Sequence, residues 1–114
     1  MHMKEFSARV VSFKLLAALE QYELDLRALA ESWVDAEALR RLQQEFGSLR
    51  ILGASLPKLS VSWVAVLLSR TRLLQAWSGR GEQPRTALQD HLAAVKRLRV
   101  NCLRTIGAQS VALA

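Results

Sequence analysis

The first 46 residues contain neither glycine nor proline, so nothing local stops them from being helical almost throughout. Cysteine is nearly absent as well. The single Cys102 excludes an internal disulfide and removes any argument for an oxidising compartment. With no C-x-x-C pair and only His2 and His91 as imidazoles, a structural zinc site is excluded. No E-x-x-H pair is present for a carboxylate-bridged di-metal centre, so neither metal nor cofactor is expected. No stretch alternates with period two over a useful length, which excludes a sheet.

Long apolar runs are also missing. The longest, within residues 59–68, ends before Arg70 and Arg72, whereas a membrane span needs about 20 residues. Lys4, Glu5, Arg9 and Lys14 break up the N-terminus, against the pattern of a signal peptide. The sequence therefore reads as soluble and cytoplasmic. At 114 residues, half of them apolar, it suits one globular domain with its own core.

Acid is scarce in the second half. Residues 1–45 carry six Lys/Arg against eight Asp/Glu, and residues 46–114 carry ten against two, for a net charge of +6. This asymmetry predicts a basic surface that attracts acidic partners or nucleic-acid phosphates, or that serves solubility alone.

What the chain does have is helical periodicity. Trp63 to Leu68 are six apolar residues in a row, greasy all round, and mark the core helix of the domain. Leu15, Leu19, Tyr22, Leu26, Leu29 and Trp33 step by four and three, the seam of a helix packed lengthwise on another. Phe6, Val10, Phe13 and Ala17 form a second stripe roughly opposite the first. A helix with two apolar stripes must bury both. Either it lies between two neighbours of its own chain, or the second stripe meets a second copy in a homodimer.

Ser32 and Asp35 have capping-box spacing and begin a new helix, with Leu39, Leu42, Phe46, Leu49 and Gly53 as its seam. Pro57 ends it. The loop SGRGEQP at 78–84 separates a third helix from a fourth, which starts at Pro84 and runs through Leu88, Leu92, Val95, Cys102 and Ile106 to Gly107. The expected fold is an all-α antiparallel four-helix bundle, with helices at about 4–33, 36–54, 58–77 and 84–107, the first and last longest.

Two arginines fall on faces that should be apolar: Arg70 on the third helix and Arg99 on the fourth. A guanidinium keeps its charge, so burial requires an acceptor. Glu20, which extends the Phe6–Phe13 stripe, is the candidate internal acid. The alternatives are that each arginine snorkels out or pairs internally, or that both line an anion pocket for a carboxylate or phosphate. Arg72, Arg80, Arg85, Lys96, Arg97 and Arg104 are the outward cations of a possible phosphate-binding or partner-binding surface. No aromatic interleaving suggests base stacking. The segment after Pro57 is too hydrophobic to lie in a DNA groove as a recognition helix.

Catalytic patterns are lacking. His91 sits on the flank of an apolar arc. The run HLAAVK does not match the H-x-x-K-G of phosphotransfer helices, so His91 reads as a packed histidine. Cys102 reads as a buried, inert thiol. The expectation is a non-enzymatic regulatory or adaptor module that binds another protein, as a homodimer through helix 1. The alternatives are a nucleic-acid-associated protein using the basic half, and a small enzyme or phosphotransfer-like domain binding an anion through Arg70 and Arg99.

Overall fold

The computed structural model describes residues 2–31, 36–81 and 83–113, with side chains for residues 8–31, 36–81 and 83–107. It consists of α1 (His2–Glu31), α2 (Ala36–Ala54), one 3-10 turn (Pro57–Leu59), α3 (Ser60–Trp77) and α4 (Pro84–Leu113). No strand occurs among the described residues, and the all-α bundle of four helices is as the sequence predicts. The first and last helices, 30 residues each, are the longest. Among the described residues, no single helix is long and apolar enough to cross a membrane.

The four-three seam of α1 is the spine of the core. Leu15, Leu19, Tyr22, Leu26 and Leu29 are all buried, each large side chain contributing on the order of 2 kcal/mol by leaving water. α2 packs on one side of this seam and α4 on the other, while α3 packs chiefly on α4. Seam residues Leu42, Phe46, Leu49 and Gly53 of α2 are buried too. The molecule is elongated, 49 × 23 × 18 Å.

α3 turns its inner face differently from the expected arc. Its buried residues are Ser62, Val66, Ser69, Leu73 and Ala76, whereas Trp63, Leu67, Leu74 and Trp77 are only half-buried. The shift is roughly 80° around the helix. Ser62, Ser69 and Ala76 recur every seventh residue, as do the buried Ala87 and Ala94 of α4. The two serine hydroxyls find partners on α4, Ser69 at His91 and Ser62 at Asn101.

The corner between α2 and α3 is set by proline and one close approach. Pro57 opens the 3-10 turn, and α3 leaves α2 at 115°, so these two helices touch mainly near the bend. There the Trp63 ring lies against Gly53, where an added Cβ would stand 3.3 Å from it, and stacks on Phe46 with ring centroids 5.5 Å apart. α3 ends in a Schellman motif. Gly79 takes φ +79°, the Arg80 N–H donates to the Gln75 carbonyl at 2.8 Å, and the Gly79 N–H donates to the Ala76 carbonyl.

One expected boundary needs correction. α4 does not stop at Gly107 but continues to Leu113. Gly107 keeps a negative φ, and the Ala, Gln and Leu that follow favour helix. α1 begins at His2 and is described to Glu31. The cap assigned to Ser32 and Asp35, and Trp33 with it, lie outside the described residues.

Candidate functional site

The sequence places a tyrosine on α1, a serine on α3 and a histidine on α4, and the packing brings all three together. His91 is fully buried. Its Nε2 lies 2.7 Å from the Tyr22 hydroxyl and its Nδ1 lies 2.7 Å from Ser69 Oγ. Ser69 Oγ also donates to the Val66 carbonyl at 3.0 Å. A carbonyl only accepts, so the serine proton is committed there and Oγ accepts from Nδ1–H. Nε2 then carries the lone pair and accepts from the Tyr22 hydroxyl. Every proton in the chain Tyr22, His91, Ser69, Val66 has one acceptor, a cooperative arrangement in a low-dielectric setting.

This arrangement holds the imidazole neutral. Burial, followed by the nearby Arg70 charge, pushes His91 down to about 4. Burial likewise raises the Tyr22 hydroxyl above its ordinary range. A serine beside a histidine is the start of a nucleophilic site, but here Tyr22, Ser69 and His91 are all buried. The crevice beside Tyr22 and Arg70 measures about 20 Å³, room for about one water. The cluster joins α1, α3 and α4 through its hydrogen bonds.

A carboxyl pair flanks it. Glu45 of α2 has its Oε2 shut away from solvent without a hydrogen-bond partner. Burial, then a hydrogen bond to and the charge of Asp25 on α1, raise Glu45 to about 7, against a smaller opposing effect of Arg41. Ionised, Glu45 has no proton to offer Asp25; protonated, it does. Asp25 also accepts from Gln21 Nε2 at 3.2 Å.

Arg70 and Arg99 do not share a pocket. Arg70 turns toward α2, its guanidinium 4.2 Å from the centre of the Phe46 ring, close enough for a cation–π contact. Arg99 crosses to α1, where its Nε donates to Glu23 Oε2 at 2.9 Å. Glu23 is buried and also meets Arg27 at 3.3 Å. The acid inside is thus Glu23, not Glu20, which is exposed. The reason is geometric: Glu20 continues the row of Val10, Phe13 and Ala17, and that row faces outward. Nearby, Asn101 of α4 donates to Ser62 of α3, and the Cys102 thiol, raised by burial, donates to the Ser12 carbonyl.

The remaining candidates are on the surface. Arg72, Arg80, Arg85, Lys96, Arg97 and Arg104 are all exposed, and none is in an ion pair among the described residues. Arg72 and Arg80 are brought together, lining with Gln75 and Gly81 an open depression of about 270 Å³. Val10, Phe13 and Ala17 of the second α1 stripe are exposed, Val10 by 37% and Phe13 by 48%; the Phe6 side chain lies outside the described residues. Leu24, 59% exposed, prolongs the same row. A second outer row on α3 comprises Val61, Val64 and Leu68, exposed by 85%, 50% and 56%.

Of the inner polar partners, Tyr22 is legible in the sequence as a seam residue, whereas Glu23 and Ser69 are not. Periodicity marks where a side chain points, but not which hydroxyl or carboxylate of another helix it meets. The seven-residue recurrence of Ser62, Ser69 and Ala76 was the available signal. No protein-family model, curated protein or solved structure matches this chain.

Proposed function

We propose that the chain is a non-enzymatic interaction module that self-associates through α1 and offers a second protein a basic, partly apolar face. The observation that carries this reading is the uncovered row of Val10, Phe13, Ala17 and Leu24 along α1. Scattered exposed apolar residues are ordinary; a row along one helix face is the form taken by an interface. The polar interior supports it from the other side, because its groups are engaged in joining helices and the adjoining crevice has no room for a substrate.

Sedimentation velocity over a wide concentration range tests the reading. The expected result is a dimer that Phe13→Glu dissociates while far-UV circular dichroism stays unchanged. A monomer at every concentration overturns self-association through α1.

One observation favours a second reading, a nucleic-acid-associated protein: the six exposed cations Arg72, Arg80, Arg85, Lys96, Arg97 and Arg104 on α3, the following loop and α4. Phosphate binding by several of them predicts retention on heparin with a steep salt dependence. Elution at low salt removes that reading.

A further inference from the structure

The outer row of α1 carries more than hydrophobicity. Val10, Phe13, Ala17, Glu20 and Leu24 step by three, four, three and four, the spacing of a two-helix seam. All five are exposed. Beside the row, Arg9 lies with its guanidinium 5.9 Å from the Phe13 ring. The basic member, Arg9, thus stands toward the N-terminal end of the row, and the acidic member, Glu20, beyond its middle.

From this order we infer that α1 pairs with α1 of a second copy in the antiparallel sense, with Phe13 opposite the partner's Ala17 and Arg9 beside the partner's Glu20. The inference rests on the reading of α1 as a self-association surface and adds its orientation and register. A two-fold axis between residues 13 and 17 sets each large Phe13 ring against a small side chain, twice over. The same operation brings Arg9 and Glu20 level with each other on one side of the seam, again twice. Parallel pairing in register instead sets Glu20 on Glu20 across the seam, a like-charge contact, and turns the two Arg9 side chains to opposite flanks. The charge order along one helix therefore selects the second copy's direction. It also selects the second copy as occupant, since the surface is complementary to itself once reversed.

The test is charge reversal in trans, followed by sedimentation equilibrium of the full chain. Arg9→Glu alone and Glu20→Arg alone are each expected to weaken the dimer by about tenfold, since two exposed ion pairs become two like-charge contacts. The double variant R9E/E20R is expected to regain wild-type association, and so is an equimolar mixture of the two single variants. High salt should shrink all these differences. Single variants that dimerise like the wild type overturn the antiparallel register while leaving self-association standing. If Val64→Glu abolishes the dimer and Arg9→Glu does not, the interface is the outer row of α3. A wild-type chain that never dimerises removes both the inference and the reading beneath it.

Discussion

Ser69 Oγ and His91 Nδ1 stand 2.7 Å apart, and the serine's own proton is already committed to the Val66 carbonyl. The pair therefore fixes the imidazole as the neutral tautomer with hydrogen on Nδ1. An imidazolium would have to donate from Nε2 as well, toward a Tyr22 hydroxyl whose proton is then left without its acceptor. α1, α3 and α4 are joined through a group that tolerates only one protonation state.

Acid should therefore loosen the bundle through His91. Its folded value, about 4, is depressed below the ordinary 6.5, so the unfolded chain binds the proton first. The stability it contributes is fully present above pH 6.5 and is lost as pH falls from there through 4. The full loss comes to about 3 kcal/mol for a shift of this size. Urea unfolding at a series of pH values should show this slope, and His91→Gln should flatten it. An unchanged slope in the variant would assign the acid sensitivity to other groups.

Glu45 works in the opposite direction over nearly the same window. Its folded value is raised to about 7, so the folded state holds the proton more tightly than the unfolded chain. The stability it contributes is present below its ordinary 4.5 and is lost as pH rises through 7. Glu45→Gln, which can donate to Asp25 at any pH, should raise the melting temperature at pH 8 and do little at pH 4. It should also steepen the acid slope of His91, which Glu45 partly masks in the wild type. Thermal melts of both chains at pH 4, 6 and 8 measure this, and equal melting temperatures at pH 8 would count against it.

Much of this was legible in the sequence, and the parts that were not share a cause. The Leu15–Leu29 seam could be read because aliphatic residues at four-three spacing have one place to go. The row of Val10, Phe13 and Ala17 is legible as a stripe, but periodicity alone does not say whether a neighbour covers it. Glu20 inherited that ambiguity and was paired with the inner arginines, when Glu23, one turn further round the seam, is the buried acid. Arg70 and Arg99 stand out in the sequence as charges on apolar faces. Their separation depended on which helix each faces, a tertiary fact. α3 misled for another reason: hydrophobicity ranks Ser62 and Ser69 as surface residues, while close helix packing and cross-helix hydrogen bonds place them inside.

Glu23 provides an internal comparison of two ion pairs. It meets Arg99, whose side chain is 25% exposed, at 2.9 Å, and Arg27, which is 63% exposed, at 3.3 Å. Water screens the second pair and hardly reaches the first. A double-mutant cycle with Glu23→Gln should give a coupling of about 1–2 kcal/mol with Arg99→Met, and below about 0.5 kcal/mol with Arg27→Met. Arg99→Met alone should also cost more stability than Arg27→Met, because it leaves a buried carboxylate with only its exposed partner. Equal couplings in chemical denaturation would mean that burial does not separate the two.

The two glycines Gly47 and Gly79 should respond to alanine with opposite signs. Gly47 lies in the interior of α2, exposed, with no atom within 4 Å of an added Cβ. Alanine there restricts the unfolded chain and meets no obstacle, so Gly47→Ala should stabilise by about 0.5–1 kcal/mol. Space is equally open at Gly79, yet its φ of +79° is the left-handed geometry on which the Schellman bonds from Gly79 and Arg80 depend. Gly79→Ala must either strain that geometry or give up both bonds, and should destabilise by about 1 kcal/mol or more. Since neither substitution touches another side chain, the difference between them isolates backbone conformation. Urea midpoints for the two variants measure it directly, and a stabilising Gly79→Ala would mean that the end of α3 can be re-formed without a left-handed residue.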